Sequence, residues 1–137
     1  MTGFTGGCLC GAIRYEVTAE PVRTFCCHCD NCRKATGSSF ATNVFVKADD
    51  LKITQGTPTL FQHQADSGNM MNKEFCANCG SQLFGSGAAR PGMKNIKIGS
   101  MDDASSIRPV ANLYTKCALP CTHLSDEMEN YEEMPDG

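Results

Sequence analysis

Tryptophan is absent from this 137-residue sequence, and Phe and Tyr together account for only 7% of it. A chain of this length makes one domain, residues 1–137, with a modest core, and so few aromatics leave room for a second source of stability. No run approaches the roughly 20 apolar residues that a membrane-spanning helix needs, which predicts a soluble chain without a membrane partner. The first thirteen residues hold no Lys or Arg and no apolar stretch, so no secretory leader is expected and the expected location is cytoplasmic. Positive charge is in short supply too. The net charge is -3, and the last twelve residues hold six of the fifteen acids (Asp126, Glu127, Glu129, Glu132, Glu133, Asp136) and no base. The other 125 residues carry twelve bases against nine acids, too mild and scattered an excess for a nucleic-acid footprint. The acidic stretch from about residue 126 is expected to be a solvated tail.

What the sequence has in excess is cysteine, ten in all. They fall as Cys8 and Cys10, then Cys26, Cys27, Cys29 and Cys32, then Cys76 and Cys79, then Cys117 and Cys121. Disulfides would suit an exported chain, whereas a reducing cytosol keeps thiols free for metal. The spacing favours metal. Pairs one or two residues apart make poor disulfides but good chelating arms, because tetrahedral zinc holds its sulfurs about 4 Å from one another.

Hydrophobic alternation predicts a mostly β chain. Residues 12–17 alternate, with Ile13, Tyr15 and Val17 on one face. Residues 40–46 form a second strand, and 51–53 and 59–63 read as two short strands around the turn at 55–58. Residues 70–75 and 82–84 flank the Cys76–Cys79 pair as hairpin arms, and 93–98 and 110–114 complete the set. One short helical turn is expected over residues 30–36, ended by Gly37.

Two metal sites can be drawn from these elements. Cys76-Ala77-Asn78-Cys79-Gly80 has the form of a zinc knuckle, with Gly80 free to take positive φ where the chain leaves. A thioredoxin-like redox pair would need a helix there, and the sequence continues as strand. Cys8 and Cys10, set among glycines, are the natural donors to complete four thiolates with Cys76 and Cys79, a closed and therefore structural zinc. Cys27, Cys29 and Cys32 offer three thiolates at the entrance to the helical turn. Cys26 points to the opposite face of an extended chain and should not share their ion. Three protein ligands leave a fourth position for water or substrate, as in a catalytic zinc. The alternative is that Cys117, Cys121 or His28 closes this site as well. His28 reads as a neighbour rather than a ligand, and Cys26, Cys117 and Cys121 read as small buried hydrophobes.

The ordered blocks Cys8-Leu9-Cys10-Gly11, Cys27-His28-Cys29-Asp30-Asn31-Cys32-Arg33-Lys34-Ala35-Thr36-Gly37 and Phe75-Cys76-Ala77-Asn78-Cys79-Gly80-Ser81-Gln82-Leu83 resemble the glutathione-dependent formaldehyde-activating enzyme family, which includes centromere protein V. The resemblance runs from about residue 4 to the closing Met134-Pro135. It implies a small Mss4-like β-fold stapled by two zinc ions, with the same division of cysteines. Where many relatives carry Trp or other aromatics near the C-terminal end, this chain has Cys117-Ala118-Leu119-Pro120-Cys121.

The chemistry so implied is that of a zinc-dependent carbon–sulfur lyase similar to S-(hydroxymethyl)glutathione synthase. A small thiol such as glutathione would be the partner and formaldehyde the aldehyde. Three thiolates already outweigh the two charges of a zinc ion, so a thiol ligand needs cations nearby, and Arg33 and Lys34 are the candidates. A second class of function stays open, a non-catalytic zinc-stapled module that binds another protein.

Overall fold

The computed structural model describes residues 2–135, so Asp136 of the acidic stretch lies outside the described residues. The strands are β1 (Phe4–Gly7), β2 (Arg14–Val17), β3 (Arg23–Cys27), β4 (Ala41–Lys47), β5 (Leu51–Gln55), β6 (Thr59–Gln64), β7 (Met70–Phe75), β8 (Gln82–Gly87), β9 (Met93–Lys97), β10 (Ala111–Leu113) and β11 (Glu129–Asn130). The helix α1 (Asp30–Thr36) follows β3 and ends at Gly37, whose φ of 68° is left-handed. The mostly β expectation is met. Among the described residues no helix is long and apolar enough to cross a membrane.

Two sheets face each other. A three-stranded sheet runs β1-β2-β5, and an eight-stranded sheet runs β11-β10-β3-β4-β9-β8-β7-β6. Alternation decides which side chains fill the space between them. In β2, Tyr15 and Val17 turn inward and Arg14 and Glu16 outward. From the large sheet come Val44 and Val46 of β4, Ile96 of β9 and Phe84 of β8, all buried. Tyr15 is 1% exposed, meets the Phe84 ring edge-on at 5.2 Å, and satisfies its phenol on Ser100 Oγ at 2.8 Å. Three rings, Phe4, Tyr15 and Phe84, therefore carry much of a core that has no tryptophan.

The opposite face of the large sheet holds a second, smaller cluster. Phe25 and Cys27 of β3 and Ala111 and Leu113 of β10 are buried there, with Phe45, Tyr114 and Tyr131 packed alongside. This face receives α1, which packs on β4.

Three expectations need correction. The strands at 51–55 and 59–64 exist but do not pair with each other: β5 joins β2 in the small sheet and β6 joins β7 in the large one. The turn between them carries the chain from one layer to the other, which alternation within either strand cannot reveal. The acidic stretch is not merely a solvated tail. Glu129 and Asn130 pair in parallel with β10, Tyr131 N donates to Asn112 O at 2.9 Å, and Lys116 pairs with Glu133. Backbone hydrogen bonding holds it down, and that is indifferent to side-chain charge. The third correction concerns two cysteines and belongs to the site.

Candidate metal centres and the adjoining cleft

The first centre joins two turns far apart in the chain. Cys8 and Cys10 sit in the turn from β1 to β2, shaped by Gly11 N to Cys8 O at 3.2 Å and Cys8 N to Ile13 O at 3.1 Å. Cys76 and Cys79 sit in the turn from β7 to β8, closed by Gly80 N to Cys76 O at 2.7 Å, with Gly80 at φ 79°. A side chain at residue 80 would be strained in that conformation. All four sulfurs lie within 4.8 Å of one another. Cys8 to Cys10 measures 3.6 Å and Cys10 to Cys76 3.8 Å, close to the edge of a tetrahedron with zinc–sulfur bonds of about 2.3 Å. Donors already point at the sulfurs: Ile13 N to Cys8 and Asn78 Nδ2 to Cys10, each at 3.3 Å. The Ser81 hydroxyl and backbone pull the Cys79 thiol down to about 5. At Cys8, burial acts upward but the Ile13 N–H and the neighbouring thiols outweigh it, leaving the thiol lowered. This donor set fits a metal ion.

The second cluster forms where β3 runs into α1. Cys27 ends the strand, and Cys29 caps the helix by accepting the Cys32 N–H on its sulfur at 3.3 Å. The sulfurs of Cys27, Cys29 and Cys32 lie within 4.8 Å of one another, and no other His, Cys, Asp or Glu among the described residues joins them. Their acidities pull apart. Cys27 is pushed far up by donating to Cys29 and Cys32 and by burial, while Cys32 is pulled down, first by those two thiols and then by the charges of Lys97 and Lys73. Cys29 ends raised, the bond from Cys27 being outweighed by the one to Cys32 and by burial. Three thiols this close cannot all ionise unless a cation joins them, which again fits a metal ion.

The remaining cysteines stay apart. Cys26 is buried on the other face of β3, 3.6 Å from Thr42 Oγ1, as its neighbour's opposite orientation required. Cys117 is half-buried and Cys121 exposed, so neither is the small buried hydrophobe that was expected, and neither reaches a cluster. In the segment 115–121, Cys117, Ala118 and Leu119 are half-buried while Pro120 and Cys121 are exposed. His28 is 1% exposed and bonds Asn112 Oδ1 through Nε2 at 2.9 Å, against the Phe40 ring. It is a buried neighbour of the cluster and not part of it.

The cations near the trio differ from those the sequence offered. Arg33 is tied to Asp30 at 3.0 Å along the helix. The charges that act on Cys32 come from the sheet, and sequence reasoning missed them. Lys97 Nζ donates to Asn43 Oδ1 at 2.6 Å and to Asn95 Oδ1 at 2.9 Å. Asn95 has room because residue 85 is glycine: a Cβ there would lie 2.9 Å from the Asn95 amide. Burial lowers Lys97 to about 8, with the thiols opposing and Lys73 reinforcing. The available signal was alternation, since Asn43, Asn95 and Lys97 all sit out of phase with Val44 and Ile96. Such residues read as solvent-facing until α1 is known to pack on that side. Tyr114 was missed as well. It packs beside the trio and is the non-glycine residue with positive φ, 56°, among the described residues. Strain of this kind gathers at functional sites.

Beside α1 opens a cleft of about 730 Å³ between the helix and strands β6, β7 and β8. Asn31 and Lys34 form one wall, and Phe61, His63, Lys73 and Gln82 the other.

Residues 3–117 match the family described as glutathione-dependent formaldehyde-activating enzyme. The chain belongs to this family. Among curated proteins, one from Halomonas elongata that carries this family's name provisionally is 33% identical over 84 residues, covering 58% of this chain and 53% of that one. An uncharacterised lyase of Schizosaccharomyces pombe is 27% identical over 84 residues, covering 61% and 58%. The chain thus spans about half the length of the curated relatives it matches. A crystal structure of a Rhodobacter sphaeroides protein shares the family member's fold with a TM-score of 0.60 at 23% identity, over 74% of this chain and 91% of that one.

Proposed function

We propose that the protein is a zinc-dependent carbon–sulfur lyase that joins a small aldehyde such as formaldehyde to a small thiol such as glutathione, or releases it. In this reading the chain is one domain holding two zinc ions in a reducing cytoplasm. Cys8, Cys10, Cys76 and Cys79 enclose a structural ion, and Cys27, Cys29 and Cys32 hold the other with one position left for substrate. The observation that carries the reading is the contrast between four sulfurs in one cluster and three in the other. Family membership and the names of the relatives support the reaction class.

Zinc held by the trio supplies a Lewis acid that lowers the pKa of a thiol reaching the open position. The chain does the rest. The start of α1 fixes Cys29 and Cys32 in place, with the Cys29 sulfur capping the helix. Lys97, held by two buried amides, sets a positive charge beside an ion that thiolates have made negative overall. In the synthetic direction the thiol loses its proton and its sulfur bonds to the aldehyde carbon. The carbonyl electron pair moves to oxygen, which takes up one proton. One proton leaves and one is gained, so the S-hydroxymethyl adduct forms without a co-reactant, and the reverse step is the lyase.

Exchange NMR of formaldehyde and glutathione tests this directly. Wild type should speed equilibration above the uncatalysed background, and Cys29→Ser should not. An unchanged background rate with the wild type would leave the zinc-stapled interaction module as the reading.

A further inference from the structure

Strand β6 ends the eight-stranded sheet, paired with β7 on one side and, among the described residues, with no strand on the other. A strand so placed shows a row of backbone donors and acceptors to solvent. Folded chains defend such edges with charge, proline, a bulge, shortness or a covering segment. The other sheet edges here are defended. β11 is two residues long and carries Glu129. β5 carries Lys52 and meets β2 across a register shift. β1 is covered, with Gly6 bridged to Met101 and Thr5 O accepting Asp102 N at 2.9 Å. β6 has none of these devices. Its six residues, Thr59–Gln64, include no Lys, Arg, Asp, Glu or Pro, and its register with β7 is unbroken. Leu60 is 53% exposed and Phe61 57%, and alternation puts them on opposite faces.

The hairpin shows which groups of this edge point outward. Ala65 N donates to Asn69 O at 2.9 Å where β6 turns into β7, and Ala88 N donates to Met70 O at 3.2 Å on the far side of β7. Hydrogen bonding alternates along an antiparallel pair, so Thr59, Phe61 and His63 bond to β7. The N–H and C=O of Leu60, Gln62 and Gln64 therefore face out.

Three such residues are their own complement about a two-fold axis. With the axis at Gln62, Leu60 meets Gln64 of the partner subunit, Gln62 meets its own copy, and about six hydrogen bonds close. Moving the axis one residue toward Leu60 sets Gln64 against Pro58, which has no N–H. Moving it one residue the other way sets Leu60 against Asp66, in the turn. Side chains favour a second copy as the occupant. Phe61 falls opposite His63 of the partner subunit, and within one strand those two rings already stack at 6.0 Å. Gln62 Nε2 donates to Asn72 Oδ1 at 2.8 Å, which leaves its Oε1 and second N–H for the amide across the axis. No like charges meet anywhere along the paired strands.

We propose that β6 is a homodimer edge, where two copies pair antiparallel through Leu60, Gln62 and Gln64 about an axis at Gln62. Two eight-stranded sheets become one. The inference is independent of the lyase reading. Phe61 and His63 also line the cleft beside α1, so each copy extends that wall for the other.

The test is sedimentation velocity on the metal-loaded full chain from micromolar to millimolar concentration. Wild type should approach twice the mass of one chain. Gln62 is exposed, so Gln62→Lys and Gln62→Glu should keep the fold. Each alone should weaken association about tenfold or more, because like charges meet at the axis. Mixed one to one, the two variants should recover a dimer with one copy of each, a pattern that only a residue facing itself produces. Ile53→Lys, on the exposed edge strand of the small sheet, should change nothing. Amide hydrogen exchange reads the same contact by residue. The N–H groups of Leu60, Gln62 and Gln64 should gain protection as concentration rises, while those of Phe61 and His63 stay protected throughout. A wild type that keeps the mass of one chain at millimolar concentration would overturn the proposal. So would a dimer that both Gln62 variants leave intact, one that mixing them does not restore, or one that Ile53→Lys breaks.

Discussion

Lys97 Nζ donates to Asn43 Oδ1 at 2.6 Å across the paired strands β9 and β4, where the two residues sit directly opposite. A buried ammonium needs such partners, since leaving it unpaired costs the full desolvation of the charge. Asn43→Leu should therefore lower stability by about 2 kcal/mol, read from the denaturant midpoint of the metal-loaded protein. On the proposed lyase reading, Lys97→Met should retain the metal content of the wild type by elemental analysis yet raise the KM for glutathione about tenfold, because a cation beside the thiolates has gone. An unchanged KM would remove Lys97 from the site.

The two cysteine clusters should respond differently to loss of a ligand. Cys76→Ser should abolish cooperative unfolding or lower Tm by tens of degrees, because that centre ties two distant turns together. On the proposed reading, Cys29→Ser should cost one of two metal ions and the exchange activity while keeping most of the fold. Metal content and thermal melts on the two variants separate these outcomes.

Phe84 is fully buried and meets Tyr15 edge-on, so Phe84→Ala should destabilise by about 3–5 kcal/mol through lost burial and a residual cavity. Equilibrium denaturation measures it. A much smaller loss would mean that the space between the sheets closes up.

Asp102 accepts hydrogen bonds from Arg14 and Thr5, which hold its carboxyl down to about 2. The folded pKa lies below the ordinary 3.8, so the stabilisation is present above that value and is lost as pH falls toward 2. Both side chains are more than one third exposed, so the effect is small. Asp102→Asn should lower Tm by at most about 3 °C at pH 7, and the difference from wild type should shrink as pH falls below 3.8 and vanish only below about 2.

The cysteine spacing made the sulfur clusters legible because residues one to three apart can converge locally, whatever surrounds them. Strands with clean alternation, such as Arg14–Val17, were legible for the same local reason. What escaped depends on partners elsewhere in the chain. β1 is Phe-Thr-Gly-Gly, with too few side chains to show a pattern, and is a strand because β2 pairs with it. β3 was hidden because Cys27, at its end, read as a ligand and the residues before it show no clean alternation. Lys97 and Lys73 looked like solvent-facing residues on alternating strands, and only the placement of α1 on that face gives them a role.

The clasp between the turns at Cys8–Cys10 and Cys76–Cys79 has a consequence for how the chain comes to be folded. As the polypeptide is made from its N-terminus, the first pair of thiols must wait for β7 and the turn after it before the four sulfurs can come together. For more than sixty residues of synthesis that first turn is open to oxidants and to stray metals, so the order of manufacture sets when the protein is most vulnerable.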